Sequence, residues 1–206
     1  LITKRFFVQS YILITTRPTA LEKLQKCVVA ARFAEILGFS EDDRKEYFTK
    51  FFKDETQGAQ AFNIVKGNYL LFTMCFVPIV CWIVCTVIKV QMENNEDPVN
   101  ALRTTTSVYM SFLSNLLKQQ SRDSVQPIHM NLKRLCALAR DGVWEQKILF
   151  KEEDITNHDL EIPAVQSLFL KNDIFQKDTE CENCYSFIHL SFQEFFCCNV
   201  LRTDRK

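Results

Sequence analysis

Two cysteines and a histidine near the end of the chain have the residue types of a metal site. Cys181 and Cys184 form a CxxC pair, and His189 follows shortly after. A structural zinc site needs four such ligands at suitable spacing. The sequence offers no second CxxC and no paired histidine, so Cys197 or Cys198 would have to supply the fourth ligand. The spacing therefore favours reduced thiols without a metal.

Residues that could act in acid–base or nucleophilic catalysis are equally sparse. His129 and His158 fall in polar stretches that we interpret as loops. The acidic run Glu152–Glu153–Asp154 is typical of the first turn of a helix, where carboxylates complement the helix dipole. The sequence contains no nucleophile–base pair and no GxxxxGK[ST] phosphate-binding loop. We predict that the chain is not catalytic by itself.

Charge and cysteine usage narrow the class of protein further. Lys and Arg together number 25, as do Asp and Glu, so the formal net charge is zero. A neutral chain has no electrostatic reason to bind nucleic acid or an anionic membrane surface. The nine cysteines are odd in number and lack the spacing of a disulfide framework. Free thiols used as small apolar side chains indicate a cytoplasmic protein.

The elements that must position these residues are predicted to be mainly helices. Only 4 glycines and 5 prolines leave little material for a turn-rich all-β fold. Tyr11–Thr16 is an apolar, β-branched run that suits a buried strand of a parallel sheet. Ala34–Phe39 is a second candidate strand, and Ala20–Leu24 has helical character. Ser40, followed by three acids, predicts the N-cap of a helix.

That helix carries a stripe of aromatic side chains on one face, as expected for a helix packed on a core. The stripe consists of Tyr47, Phe48, Phe51 and Phe52. Further along, residues 69–88 contain no charged side chain. Their length would suit a transmembrane helix, whereas Pro78 near the middle favours two short buried helices with the proline in the first turn of the second. The residues alone leave both possibilities open.

The C-terminal half has the pattern of helices followed by a small hairpin, which is typical of a winged-helix domain. Predicted helices cover Thr104–Leu117 and Leu132–Ala139, with the helical pattern continuing over Trp144–Phe150 and a short connector at Ile155–Leu160. The segment Val165–Leu170 suits a helix or a strand. Ile174–Gln176, a charged turn and the alternating segment Tyr185–Leu190 complete the hairpin and lead into Phe192–Phe196.

Four strings in the chain together resemble one family, the NOD-like receptors of the pyrin-domain (NLRP) type. Leu13–Leu24 is similar to their sensor 1 strand, and Ile36–Glu41 with Lys45–Phe48 to the start of their first helical domain. Leu71–Pro78 with Cys81–Cys85 is close to a hallmark of the family. Tyr185–Phe196 resembles the end of their winged helix. The strings follow in the family's order over nearly the whole chain.

The resemblance implies the C-terminal part of a NACHT nucleotide-binding module of the STAND ATPase class. Residues 1–39 would be the terminal strands of its parallel α/β core, and 40–97 the first helical domain. Residues 98–196 would form the winged-helix domain, and 197–206 the start of a second helical domain. The implied fold class is therefore mainly α: terminal strands of a parallel α/β core come first, and a helical domain and a winged-helix domain follow. The uncharged segment would be two buried helices near the adenine, without membrane insertion.

The resemblance also implies a nucleotide site. Arg17, just beyond the predicted strand, would act as sensor 1 at a terminal phosphate; a strand-capping arginine is the alternative. Pro78 and Trp82 are four apart and share a helix face, which would hold the purine together with Tyr47. Plain core packing is the alternative for Tyr47 and Trp82. His189 would contact the β-phosphate of ADP and hold the winged helix closed, whereas a satisfied core histidine is its alternative.

The implied partners are ADP or ATP with Mg²⁺, whose ligands and phosphate-binding loop would come from residues upstream of Leu1. Both ends look cut from a longer protein with pyrin and leucine-rich-repeat regions, which would homo-oligomerise in inflammasome-type innate-immune signalling and be at most a slow ATPase. A maternal, oocyte-type NLRP scaffold is one alternative. A winged-helix DNA-binding protein is another, but its candidate helix offers only Lys133, Arg134 and Arg140. A single-pass membrane protein is the third.

Overall fold

The computed structural model describes residues 11–16, 18–28, 31–120, 128–163, 169–177 and 180–203. The chain divides into two compact units, Leu1–Leu37 and Gly38–Lys206.

The first unit contains one helix, α1 (Pro18–Gln25), among its described residues, and this confirms the helical character predicted for Ala20–Leu24. The strand predicted for Tyr11–Thr16 is wrong, because these residues form no strand and lie exposed, with Leu13 at 92%. Ala34–Phe39 form no strand either, so that prediction is also wrong. A strand needs the hydrogen bonds of a neighbouring strand, and the described residues of this unit include no strand to supply them.

The second unit begins with a pair of capped helices, α2 (Glu41–Phe52) and α3 (Glu55–Lys66). The Ser40 side chain accepts the backbone N–H of Asp43, while the Asp43 carboxylate accepts the backbone N–H of Ser40. This capping box satisfies two helix-end donors and confirms the predicted N-cap. The aromatic stripe of α2 turns inward, where Phe48 and Phe52 are buried.

The uncharged segment folds as two helices, α4 (Tyr69–Met74) and α5 (Pro78–Glu93), as the second of the two interpretations predicted. Pro78 occupies the first turn of α5, where its missing N–H leaves no hydrogen bond unmade. Much of α5 is buried, as expected for a helix that is apolar on most sides: Val80, Cys81, Ile83, Val84, Cys85, Val87 and Ile88. Among the described residues, no helix is long and apolar enough to cross a membrane.

Three helices follow: α6 (Pro98–Ala101), α7 (Thr105–Gln120) and α8 (Ile128–Trp144). The predicted continuation of helix over Trp144–Phe150 is wrong. Gln146 adopts a left-handed backbone conformation with φ 55°, which ends the helical path. Phe150 then opens a strand, β1 (Phe150–Lys151).

The remainder forms a small antiparallel sheet between two helices. Residues Glu152–Asn157 form α9, so the connector predicted for Ile155–Leu160 is partly wrong, whereas the acids at Glu152–Asp154 do lie in a first helical turn. Strands β2 (Leu170–Lys177) and β3 (Glu180–Phe187) pair as the predicted hairpin, with Leu170 opposite Phe187. The strand order is β1-β3-β2, and helix α10 (Leu190–Thr203) follows.

A continuous aromatic core joins these elements within the second unit. Trp82 on α5 meets Phe112 on α7 edge-on, with ring centroids 5.2 Å apart. Phe112 in turn lies 6.0 Å from Phe192 on α10. Phe192 contacts Phe169 beside the sheet at 6.1 Å. Ring contacts of this kind add directional preference to the apolar burial, and they fix α7 between α5 and α10.

Candidate functional site

The predicted purine-binding face lies at the start of α5. Pro78 is exposed at the first position of the helix. Trp82 lies one turn further on and is half-buried, with its ring against Phe112. One part of the indole therefore packs in the core, and another part is open to solvent. Such a face can hold a planar apolar group, but core packing accounts for the Phe112 contact equally well.

Tyr47 approaches the same helix from α2. Its ring lies 5.4 Å from that of Phe39 and 6.2 Å from that of Phe51. Burial raises the pKa of Tyr47 to about 12, and the neighbouring thiols of Cys85 and Cys81 add to this effect. The phenol is therefore a neutral hydrogen-bonding group at any physiological pH. Tyr47 lies beside α5, but its proposed contact with a purine stays a prediction.

The thiols next to Tyr47 form a buried cluster on α4 and α5. Cys75, Cys81 and Cys85 are free and fully buried. The pKa of the Cys75 thiol is raised mainly by a hydrogen bond with Cys81, and burial raises it further. The pKa of Cys81 is also raised, because its contact with Cys85 and its burial together outweigh the opposing effect of Cys75. A protonated thiol is a poor nucleophile, so the cluster acts as apolar core.

His189 is the last residue before α10, and its side chain caps that helix. Its Nδ1 atom lies 2.9 Å from Oγ of Ser191 and 3.2 Å from the backbone nitrogen of Ser191. A backbone N–H can only donate, so Nδ1 is the accepting nitrogen, as in other N-caps made through a side chain. In the neutral ring, the proton then resides on Nε2. The contact fixes both the tautomer and the orientation of the imidazole.

The segments on either side of His189 are held by backbone hydrogen bonds and by aromatic packing. The Ile188 N–H donates to the carbonyl of Phe169 at 3.0 Å, and the Phe192 N–H donates to the carbonyl of His189 at 3.0 Å. Phe187 and Phe196 are buried on the two sides of the junction. The half-buried imidazole of His189 therefore lies at a strand–helix junction whose backbone is held on both sides.

Helix α7 contacts both predicted regions of the site. Phe112 packs on Trp82, and Tyr109, one turn earlier, packs on Phe192 and Phe195 of α10. The structure therefore connects the Trp82 face and the His189 junction through a single helix.

Arg17 lies outside the described residues, and its role as sensor 1 stays a prediction.

A polar cluster surrounds His158, a residue for which the sequence pattern had predicted a loop without a function. His158 ends α9 and its side chain is 18% exposed. Its Nδ1 lies 2.7 Å from the carbonyl oxygen of Asp154, and its Nε2 lies 3.0 Å from Oδ2 of Asp141. Asp141 belongs to α8, at a sequence distance that no local pattern links to His158. Only the tertiary structure brings these groups together.

A cavity of about 340 Å³ opens beside this cluster. Lys147 crosses it and forms an ion pair with Asp154 at 2.7 Å. Burial opposes ionisation of Asp154, but the hydrogen bonds from Lys147 and from the Lys151 backbone outweigh it and lower the pKa. The pKa of Asp141 is lowered in the same way, with burial outweighed by Arg140 and His158. None of the sequence-predicted site residues lines this cavity.

The charges of α8 do not form a basic surface. Arg134 pairs with Asp159 at 3.7 Å, and Arg140 pairs with Asp141 at 2.8 Å. Of the three predicted cations, Lys133 is exposed to solvent. A helix that recognises DNA needs several unneutralised cations on one face, so the geometry argues against the DNA-binding alternative. Within the described residues, no group of three potential ligands is arranged to hold a metal ion.

Comparison with known proteins supports the resemblance to the NLRP family. The NACHT domain family model matches residues 1–55, and the NOD2 winged helix domain model matches residues 131–187. The chain is 53% identical over 196 residues to NACHT, LRR and PYD domains-containing protein 3 of Bos taurus. It is 52% identical over 197 residues to protein 12 of that series and 40% identical over 195 residues to protein 6, both from Homo sapiens. Each match covers 95% of the chain but only 19%, 18% and 22% of the respective relative.

Proposed function

Because the chain belongs to the NLRP-type NACHT family, we propose that it forms the sensing part of an ATP/ADP-gated switch in a cytoplasmic innate-immune receptor. ADP would hold the winged helix closed, and exchange for ATP would release it and permit homo-oligomerisation in inflammasome-type signalling. The chain spans about a fifth of the length of the relatives it matches. The activity and partners of the whole protein are therefore part of the proposal.

The observation that carries the proposal is the geometry of His189. Nδ1 accepts from Ser191, so the neutral imidazole has its donor at Nε2. An N–H donor on a rigid junction is the group required to hydrogen-bond a phosphate oxygen. Because His189 belongs to the start of α10, a phosphate contact at Nε2 would restrain this helix and the β2–β3 hairpin together.

The chemistry of the other residues fits a nucleotide in part. The open face of Pro78 and Trp82, with Tyr47 beside the same helix, suits the apolar surfaces of a purine. Mg²⁺ and most of the phosphate contacts would come from a P-loop elsewhere in the protein. When bound, ADP or ATP would supply the charge difference that the switch detects. Any hydrolysis would also depend on the P-loop.

The proposed switch is a two-state equilibrium that each nucleotide biases by its differential affinity. In the closed state, Nε2 of His189 donates to the terminal phosphate of ADP. A third phosphate would occupy different space and would not preserve that contact. Loss of that contact makes the closed state less stable. Because the proposed switch also requires ATP to bind the open state more tightly, ATP favours rotation of the winged helix.

The experiment is to purify the natural protein that carries this chain, denature it, and quantify the released ADP and ATP. His189→Asn is the informative variant, since asparagine is a favoured N-cap but is too short to place a donor where Nε2 lies. We expect near-stoichiometric ADP in the wild type and a sharp loss in His189→Asn. After ADP has been removed from both, the two proteins should unfold at the same temperature, since bound ADP itself adds stability. Leu190→Ala, at the neighbouring and partly exposed position, is the matched control.

A well-folded wild type without nucleotide would overturn the switch and favour the scaffold alternative, an NLRP protein of the maternal type with little nucleotide switching. Loss of ADP in both His189→Asn and Leu190→Ala would indicate general damage to the junction. Full retention of ADP in His189→Asn would exclude a phosphate contact by this histidine.

A further inference from the structure

Gln193, in the first turn of α10, is a polar side chain in an otherwise apolar part of the core. It is 2% exposed, and Phe192 and Phe196 beside it on the helix are buried as well. An amide removed from water needs a polar partner within the protein. Its Nε2 donates to the carbonyl oxygen of Lys147 at 2.9 Å, in the turn that joins α8 to β1. Apolar packing has no direction, whereas this hydrogen bond fixes how α10 lies on the turn.

Lys147 is itself held at its backbone nitrogen and at its side chain. Its N–H donates to the carbonyl of Gly142 at 2.7 Å. Its ammonium group pairs with the carboxylate of Asp154, also at 2.7 Å. A carbonyl fixed in this way does not follow Gln193 when α10 shifts. Because hydrogen bonds weaken steeply with distance and angle, a movement of the helix breaks the contact.

The strand after this turn holds the other side of the His189 junction. Phe150 opens β1, which pairs with β3 at the position of Tyr185. Strand β3 leads into the junction on one side, and α10 leaves it on the other. The segment from the α8–β1 turn to β1 therefore contacts the junction twice, through β3 and through Gln193. Without the Gln193 contact, the imidazole of His189 is fixed from the strand side only.

We infer that Gln193 is a positioning residue for His189: by tying the start of α10 to the carbonyl of Lys147, it fixes the direction in which Nε2 of His189 meets a nucleoside diphosphate. The inference rests on the proposed function, which it extends by naming the group that sets the preference for ADP. The Phe192 N–H donates to the carbonyl of His189 at 3.0 Å, so the histidine moves with the first turn of α10. A rotation of that turn therefore misaligns the hydrogen bond from Nε2 to the phosphate.

The test measures the affinities of fluorescent ADP and ATP analogues in the natural protein that carries this chain. Gln193→Met keeps the length of the side chain and removes the donor. We expect it to weaken ADP binding about three- to tenfold, the scale of one buried hydrogen bond. ATP binding, which does not use His189 in the proposed switch, should change less than about twofold and so reports that the variant is folded. Glu194→Gln, at the exposed neighbouring position, is the matched control and should bind both nucleotides as the wild type does.

A second variant restores the donor in one protonation state only. The carboxyl group introduced by Gln193→Glu can donate to the Lys147 carbonyl when it is neutral and cannot when it is ionised. Burial raises the pKa of such a carboxyl above its ordinary value of about 4.3, because the charged form loses its hydration. ADP affinity relative to the wild type should therefore recover between about pH 8.5 and about pH 5.5, whereas Gln193→Met should keep one ratio throughout. A ratio as low as that of Gln193→Met at every pH would contradict the inference.

The decisive comparison adds Gln193→Met to a His189→Asn background. A positioning role predicts no further loss of ADP affinity there, because the positioned group is gone. A purely structural role predicts the same loss in both backgrounds and for both nucleotides. That result, or unchanged ADP affinity in Gln193→Met, would overturn the inference while leaving the proposed function intact. Unchanged ADP affinity in His189→Asn alone would overturn the proposed function, and this inference with it.

Discussion

The surroundings of His189 and of His158 differ in the forces that hold them, although both histidines adjoin a helix end in the same winged-helix region. His189 is fixed at Nδ1 by one serine, within a shell of packed aromatic rings that includes Phe187 and Phe192. His158 presents both ring nitrogens to oxygen acceptors, the carbonyl of Asp154 and the carboxylate of Asp141.

Two histidines of the same compact unit can therefore serve opposite purposes. Aromatic packing depends little on pH or salt, so the His189 junction can keep one shape while Nε2 serves as the donor to a ligand. Carboxylates and a lysine surround His158, and such a network is sensitive to protonation. We therefore expect the His189 region to be a rigid ligand-binding junction, and the His158 region to stabilise the contact of α8 with α9.

The largest expected effect comes from removing a ring beside His189. Phe192→Ala leaves a cavity where Phe192 contacts Phe112, Phe169 and Tyr109, and should lower the free energy of unfolding by about 3–5 kcal/mol. Urea titrations at pH 5 and pH 8 measure it, and the loss should be equal at both. Leu190→Ala, at a 41% exposed position, should cost less than about 0.5 kcal/mol. A loss confined to one pH would contradict the apolar description of this region.

The second effect is expected at Gly142 on α8, where the region of His158 meets α10, the helix that follows His189. A Cβ atom at Gly142 would collide with Nε2 of Gln193 and would lie 2.5 Å from Cζ of Phe150. Both side chains are buried and have to shift within a packed core, so Gly142→Ala should destabilise the protein by about 1–3 kcal/mol in thermal unfolding. Gly67→Ala is the matched control, since its new Cβ meets only ordinary contacts of 3.4 Å or more. Equal stability of the two variants would show that α8 can move away from the sheet.

The third effect concerns the charged network. Asp154→Asn removes the ion pair with Lys147 and should cost about 1–2 kcal/mol at pH 7. Because the pKa of Asp154 is lowered in the folded protein, its stabilisation is present above the unfolded value of about 3.9 and is lost as the pH falls through the folded value. Unfolding curves from pH 7 to pH 3 should therefore converge for wild type and variant. A constant difference across that range would exclude the electrostatic origin.

The smallest effect is expected from an exposed ion pair of similar length. Glu46 and Lys50 on α2 lie 2.5 Å apart but are 62% and 75% exposed. Lys50→Gln should change the free energy of unfolding by less than about 0.5 kcal/mol, and added salt should abolish the difference. A loss as large as that of Asp154→Asn would mean that burial does not distinguish the two pairs.

Local patterns predicted much of the helical framework. Ser40 with its following acids predicted the start of α2, and Pro78 within an uncharged segment predicted the break between α4 and α5. The alternation of Tyr185–Leu190 predicted the last strand and the turn into α10. These features depend on residues within a few positions of one another, since caps and periodicity are local properties. The family resemblance rested on the same local strings.

Contacts distant in sequence were decided by the tertiary structure alone. The strand predicted at Tyr11–Thr16 failed because a strand depends on a neighbour that local sequence does not specify. The contact of His158 with Asp141 on α8, and the ring contacts of Tyr109 on α7 with Phe192 and Phe195 on α10, join residues that no periodicity relates. Local patterns placed most of the helices and supplied the residue types, but they missed α9 and predicted helix over Trp144–Phe150, which leads into β1. Packing of α7 and α8 against α10 and the sheet decided which of those residues meet, because side-chain hydrogen bonds act only over the few ångströms that folding establishes.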